Sequence, residues 1–395
     1  MPSRKIDIAI LGGGLAGGLI ALALTKLRPQ LNLALFERGP NFGGNHVWSY
    51  FASDVAADDA WLVEPMIAAR WANYDVRFPK FSRTLTTPYR SCTSELLDEA
   101  VRAALPVEAL MTNAAVTAAT QTSVTLADGQ VFNVGGVIDA RGASGLPHLL
   151  GGWQKFAGQM LRMEQPHGLA RPIVMDATVA QEDGYRFVYC LPFSEYEVFV
   201  EDTYYADTAA LDLVRLRSNI ADYCAAQGWA IAEILREEAG VLPVIGAGDF
   251  ARFWGDDATA PARAGVRAAL VHPLTSYSLP QAVRFAAHIT TLRDVSGAAL
   301  ARASYAWARA HWQRGRYDRM LTTMLFGAAR PEQRYRVLQR FYGLSQGLVE
   351  RFYAGRMTLA DRARVLIGQP PVPIAAALKS LARKGRPLAK LENSQ

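Results

Sequence analysis

Cysteine is scarce in this chain: 395 residues hold three, Cys92, Cys190 and Cys224. Their odd number and wide spacing give no disulfide framework and no cysteine metal motif, and free thiols suit a reducing cytoplasm. Histidine is nearly as sparse, and its six residues show no ligand spacing, so no metal site is expected. No internal repeat is apparent, and no nucleic-acid-binding module is recognisable. Residues 8–25 carry no charge and are long enough to suggest a membrane span, but glycines cluster in their middle and divide the run into a strand and a helix. No small-residue cleavage site follows, so a secretory signal is not expected either.

Apolar and aromatic residues are plentiful. Half the residues are hydrophobic and 10% are aromatic, which is ample for a large core in one two-lobed protein or two interleaved domains. The formal net charge of +6 conceals an asymmetry. Residues 301–395 hold 18 Lys and Arg against 5 Asp and Glu, a balance of +13, which leaves 24 against 31, or −7, for residues 1–300. Trp, Tyr, Phe and Leu are interleaved with the basic residues. That pattern suits an anionic membrane surface better than nucleic acid, and a plain solvated face is the bland alternative.

The strongest local signal lies near the start. Residues 6–11 form a short apolar run, Gly12-Gly13-Gly14-Leu15-Ala16-Gly17 follows, and residues 15–27 read as a helix. Gly12, Gly14 and Gly17 occupy the three positions of G-x-G-x-x-G: a tight turn, a close backbone approach to a pyrophosphate, and close packing of helix on strand. The helix N-terminus then offers free N–H groups and partial positive charge to phosphates. A second strand, Leu33-Ala34-Leu35-Phe36, ends in Glu37, twenty residues beyond Gly17, where a ribose-binding carboxylate belongs. This βαβ unit predicts an adenine dinucleotide; a glycine-rich packing turn would leave Glu37 unexplained.

Further along, the loop Gly44-Asn45-His46-Val47-Trp48-Ser49 should lie beside the cofactor, with His46 and Trp48 either lining a pocket or shaping the loop. Tyr74-Asp75-Val76-Arg77-Phe78 alternates as a strand. Thr93 is a plausible N-cap with Glu95 in the first turn, and residues 123–132 read as a hairpin turning at Asp128-Gly129. Val137-Ile138-Asp139 is a strand whose end returns toward the cofactor, and Ala264-Gly265 resembles a further cofactor loop, so Asp139 and Gly265 join the cofactor-binding candidates. Residues 185–192 and 197–203 are two strands. On the second, Glu197, Phe199, Glu201 and Thr203 point one way, and Val198, Val200 and Asp202 the other. Glu201 and Asp202 are both catalytic candidates, one facing a pocket and the other held structurally. Residues 207–238 read as helical, Ser278 opens another helix, and residues 298–395 read as helices broken at Pro331, Gly355 and residues 370–373.

Taken together, these motifs resemble the bacterial lycopene β-cyclase family over nearly the whole chain. The likeness rests on the Gly12–Gly17 fingerprint with Glu37, the 44–49 loop and Pro88-Tyr89-Arg90-Ser91. It rests also on Phe199-Val200-Glu201-Asp202-Thr203, against the family's F-x-E-D-T, and on His272-Pro273-Leu274-Thr275-Ser276-Tyr277-Ser278-Leu279-Pro280, against H-P-T-T-G-Y-S-L-P. Leu274 and Ser276 depart from that last motif, and Ser276 puts the local backbone geometry in question.

The resemblance implies an α/β protein with a Rossmann-type FAD-binding domain of the hydroxylase/geranylgeranyl-reductase type (residues 1–55, 88–150 and 255–300). An interleaved α+β substrate domain (56–87 and 151–254) and a basic helical membrane-facing region (301–395) would complete it. It implies reduced FAD, with NADPH or NADH as the electron source, and a redox-neutral closure of the ψ-ends of lycopene through γ-carotene to β-carotene. By the same likeness Glu201 is the essential acid, with aromatic faces such as Phe187, Tyr189 and Tyr277 stabilising a cation or simply packing the core. The protein would sit peripherally on the inner face of a bacterial cell membrane; its oligomeric state is open. An FAD-dependent monooxygenase of an aromatic or isoprenoid substrate is the alternative, and a non-catalytic isoprenoid carrier a second.

Overall fold

The computed structural model describes residues 5–143, 145–368, 372–382 and 385–388. The first strand, β1 (Ile8–Leu11), leads through the glycine turn into α1 (Leu15–Leu27) and on to β2 (Leu33–Phe36). These strands sit inside a five-stranded sheet ordered Ala262–Arg263, Gly136–Asp139, β1, β2, Leu110–Met111, with every pairing parallel. β1 and Gly136–Asp139 are buried at all positions, as a parallel sheet covered on both faces requires. One face is covered by α1 and helix Leu279–Thr290, the other by an antiparallel meander of Val116–Ala119, Ser123–Leu126 and Val131–Asn133. The expected hairpin at Asp128-Gly129 and the Thr93 N-cap, which accepts the Leu96 N–H, are both present.

The second large sheet is built on long antiparallel strands: β3 (Leu149–Met163), β4 (Tyr185–Pro192), β5 (Glu197–Ala206) and, after α2 (Leu213–Ala226), β6 (Ile231–Gly248). Its order is β6, β3, β5, β4, Ile173–Asp176, Tyr74–Phe78, Phe81–Leu85, with Arg386–Pro387 pairing against β3. α2 packs on one face of this sheet. The other face meets the three-stranded sheet of Val47–Phe51, Tyr89–Thr93 and Ile67–Trp71 and the C-terminal helices, around a core rich in aromatic rings.

One expectation is corrected. Residues 207–238 are not continuously helical: the helix covers only Leu213–Ala226, and Ile231 begins an 18-residue strand. Its first half is rich in Glu, Leu, Ala and Arg, all good helix formers, but pairing with β3 overrides that preference at a sheet edge. The charges there are satisfied laterally, Glu233 by Arg162 and Glu237 by Arg217 and Gln159. Toward the C-terminus, helices end near Ala328, before Pro331, and at Tyr353, before Gly355, as anticipated. An additional break falls at Gly315, and the expected break at Pro370-Pro371 lies outside the described residues.

Candidate active site

At the end of β1 the backbone turns on Gly12, whose φ of +90° is a left-handed value; an added Cβ would lie 2.8 Å from the Arg141 Cα. A Cβ at Gly17 would collide with the carbonyl oxygen of Gly12, so the turn closes only with hydrogen at that position. Gly14 caps α1 without a side-chain bond, no acid occupies the helix's first turn, and the space beside its Cα is open. The first N–H groups of α1 are therefore free to receive an anionic ligand. Glu37 reaches over the turn and accepts the N–H of Gly13 (2.8 Å) and of Gly39 (3.0 Å).

Asp139 ends its strand beside Gly12, but its buried carboxylate is committed to Arg141 (2.7 Å) and Arg267 (3.2 Å). Gly265, at φ +60°, brings its turn against Ala16 in the first turn of α1. The structure thus gathers Gly12, Gly14, Gly17, Glu37, Asp139 and Gly265 at one end of the parallel sheet. The open glycine cradle and acid-free helix N-terminus fit a dinucleotide's pyrophosphate, with Glu37 placed for a ribose.

The second set of candidates lies on the antiparallel sheet. In register across four strands stand Tyr189 on β4, Glu201 on β5, Gly158 on β3 and Glu238 on β6. Directly paired residues share a face, so both glutamates project from the same side with a glycine between them. The neighbouring rows on that face are Phe187–Thr203–Phe156–Gly240 and Leu191–Phe199–Met160–Arg236. Glu201 lies deep in the fold, though its side chain is not fully sealed, and Thr203 Oγ1 donates to its Oε1 at 2.5 Å. No cation lies within ion-pair distance of it among the described residues. Burial, reinforced by the charge of Glu238, pushes its carboxyl well above the ordinary range, against the pull of the Thr203 bond. Tyr189 and Tyr89 are close enough to feel its charge, and Phe187 meets Tyr189 edge to face at 5.2 Å.

Asp202 is not brought to that side. It points through the sheet toward α2, fully buried, where Arg186 Nε donates to Oδ1 (2.8 Å) and Asn219 Nδ2 to Oδ2 (3.0 Å). The alternation along β5 separates the two acids as their sequence positions indicated.

Two carboxyl groups at the site were not legible in the sequence. Glu238 is 2% exposed; its Oε2 accepts the Val47 N–H (2.7 Å) and faces His46 Nδ1 at 3.5 Å. Asp54, also 2% exposed, accepts the Tyr277 hydroxyl (2.8 Å) through Oδ2, while its Oδ1 is buried without a protein partner. Burial pushes Asp54 up to about 7 in spite of that hydroxyl. The one signal for Glu238 was a pair of adjacent glutamates in a segment too short of turns for its length, and Asp54 carried none. His272, in the same motif as Tyr277, is buried against Phe352 with both ring nitrogens unpartnered, and burial lowers it to about 4. Ser276 occupies a left-handed conformation (φ +56°) and its hydroxyl donates to the Pro243 carbonyl (2.5 Å), which explains the glycine usual at that place.

A parallel sheet with a glycine-turn nucleotide cradle, joined to a long antiparallel sheet, defines the fold of the flavin-dependent hydroxylases and reductases. Solved structures bear this out. A geranylgeranyl bacteriochlorophyll reductase-like protein from Thermoplasma acidophilum superposes with a TM-score of 0.57 at 12% identity, covering 96% of each chain. A flavin-dependent brominase superposes at 0.60 and 14% identity, over 92% of this chain and 98% of the other. The family model described as lycopene cyclase protein matches residues 7–379. A lycopene β-cyclase of Pseudescherichia vulneris is 46% identical over 375 residues, covering 95% of this chain and 96% of that protein. One from Paracoccus sp. (strain N81106 / MBIC 01143) is 41% identical over 388 residues, covering 97% and 98%. This chain belongs to the lycopene cyclase family.

Proposed function

We propose that the protein is a lycopene β-cyclase that closes the linear ψ-ends of lycopene into β-rings by acid–base chemistry, and that it acts on other ψ-end carotenoids likewise. The observation that carries the reading is Glu201: a carboxyl on an aromatic-lined sheet face, with no cation within ion-pair distance among the described residues, which burial pushes toward its protonated form. Protonating an isolated alkene requires such an acid. Glu201 transfers its proton to the terminal alkene, and the adjoining double bond attacks the cationic carbon to close the ring. A different proton then leaves the ring carbon beside the new cation. Atoms and electrons balance without an oxidant. Phe187 and Tyr189 stand on the same sheet face as Glu201, and their rings would stabilise the developing positive charge by their quadrupoles.

The cradle of Gly12, Gly14 and Gly17 with Glu37 would hold FAD. Bound in its reduced form, and kept so by NADPH or NADH, it would place negative charge beside the cation without net redox change. Access to a bilayer-dissolved substrate is assigned to the basic C-terminal region. Leu359 and Leu366 on one helix, Ile367 just after it, and Leu378 and Leu381 on helix Ile374–Ala382 are exposed beside Arg364 and Lys379. Among the described residues no helix is long and apolar enough to cross a membrane. Peripheral attachment to the inner face of a bacterial membrane fits both facts.

The test is an anaerobic incubation with lycopene-loaded liposomes and FAD, with and without reductant, followed by chromatography. β-Carotene formed only with reduced flavin and without oxygen supports the cyclase. Untouched lycopene in the anaerobic arm would overturn the cyclase reading, and an oxygenated product formed with stoichiometric NAD(P)H consumption once air is admitted would favour a monooxygenase.

A further inference from the structure

We infer that Glu238 is a positioning residue of the acid site: its carboxylate, fixed one glycine away from Glu201 on the same sheet face, holds Glu201 in the proton-bearing form. This inference rests on Glu201 being the acid of the cyclase reading. The register leaves nothing but the backbone of Gly158 directly between the two glutamates, since Gly158 pairs with Glu201 on one side and Glu238 on the other. Two strand spacings separate their backbones, roughly 10 Å. The ring of Phe199 lies against Gly158 where a Cβ would be, so apolar carbon rather than a polar group borders the gap.

Glu238 is held as an acceptor. Its Oε2 takes the Val47 N–H and faces His46. His46 is the one basic side chain within ion-pair distance of it among the described residues. Arg236, two residues back on the same face, is drawn off to Glu95 and the Asn45 carbonyl, and Glu237, on the opposite face, belongs to Arg217 and Gln159. Around Glu201 the remaining groups are the Thr203 hydroxyl, Tyr189, Tyr89 and, across the sheet, Asp202. A negative charge in this setting faces Glu201 across Gly158 and opposes its ionisation. The direction of the Glu201 shift, with Glu238 as the second cause after burial, agrees with the geometry.

The experiment is a pH titration of the flavin-loaded enzyme by infrared difference spectroscopy of protonated carboxyl groups, alongside the pH profile of kcat on lycopene liposomes. Glu201→Gln identifies the Glu201 band by its loss. In Glu238→Gln that band is expected to titrate about one pH unit lower than in wild type, from a unit charge near 10 Å at an effective dielectric of ~20. The alkaline limb of kcat should move down with it, with KM within about twofold. Glu238→Asp, which keeps the charge, should restore most of both shifts, and it replaces Glu238→Gln as the informative variant if the latter does not load flavin: a wild-type titration then supports the role and a lowered one contradicts it. A Glu238→Gln band and alkaline limb that stay at the wild-type pH would overturn the inference. The infrared reading needs no turnover, so a wild-type enzyme that failed to cyclise lycopene would remove the cyclase reading while leaving this one to be decided.

Discussion

Asp202 lies next to the acid in sequence, so its substitution is open to misreading, and the structure says how to avoid that. The carboxylate is fully buried and 2.8 Å from Arg186 Nε, itself 9% exposed, with Asn219 on the second oxygen. Burial raises the Asp202 carboxyl even though Arg186 pulls the other way, so desolvation outweighs attraction in this pair. Removing one partner leaves a buried charge uncompensated, and Asp202→Ala is expected to lose about 3–5 kcal/mol of stability, taking activity with it. Replacing both partners by apolar groups removes the desolvation cost together with the pair. Arg186→Met combined with Asp202→Leu should therefore lie within about 1–2 kcal/mol of wild type. Urea unfolding of the flavin-loaded proteins measures the cycle, and liposome turnover measures the consequence. The expected result is that cyclisation returns with stability. A double variant that is folded, flavin-loaded and as stable as wild type, yet inactive, would refute the reasoning and make Asp202 part of the chemistry.

Gly17→Ala forces a Cβ onto the Gly12 carbonyl, a backbone atom that cannot swing aside, and FAD affinity should fall roughly 5- to 150-fold by fluorescence titration, as overpacking of about 1–3 kcal/mol implies. Asp54 is raised from 3.8 to about 7, so between those values the folded protein keeps a proton that the unfolded chain has released, and stability falls as pH rises through that window. Asp54→Asn should gain roughly 4 kcal/mol on wild type between pH 4 and pH 8 in urea unfolding, and a pH-independent difference would contradict the burial argument. At Ser276 the left-handed backbone costs about 1 kcal/mol and the bond to Pro243 returns about as much, so Ser276→Gly should be nearly neutral. Ser276→Ala keeps the strain without the bond and should lose about 1 kcal/mol; equal stability of the alanine variant and wild type would count against this account.

The parts of this protein that were legible in its sequence are those whose physics is local. The glycine turn, Glu37, the Thr93 cap and the hairpin at Asp128-Gly129 each depend on a few adjacent residues. The period of two in residues 197–203 likewise separates Glu201 from Asp202. Long-range partners were not legible. Asp54 meets Tyr277 across 223 positions and Glu238 meets Val47 across 191, and burial of this kind leaves no mark on neighbouring residues. β6 was hidden for a different reason: its helix-forming composition is overruled by a partner strand that begins more than eighty residues earlier.

β5 carries carboxyl groups on two consecutive residues, one for the acid site and one for an ion pair behind it. A helix would have set them only about 100° apart. The pleat instead sends Asp202 to a guanidinium and Glu201 to a face that offers only a hydroxyl. This solution is sensitive to register, because a slip of one residue would exchange the two carboxyls. The glycines of the sheet guard against it. Gly158 and Gly240 receive the rings of Phe199 and Phe156, and the Phe156 ring tip stands 2.6 Å from where a Cβ of Gly240 would be. Phe156 lies directly opposite Gly240 and the Phe199 ring reaches diagonally over Gly158, so a slipped pairing would drive each ring into a side chain on the facing strand. The two rings that flank the Glu201 row thereby fix which carboxyl stands on that face.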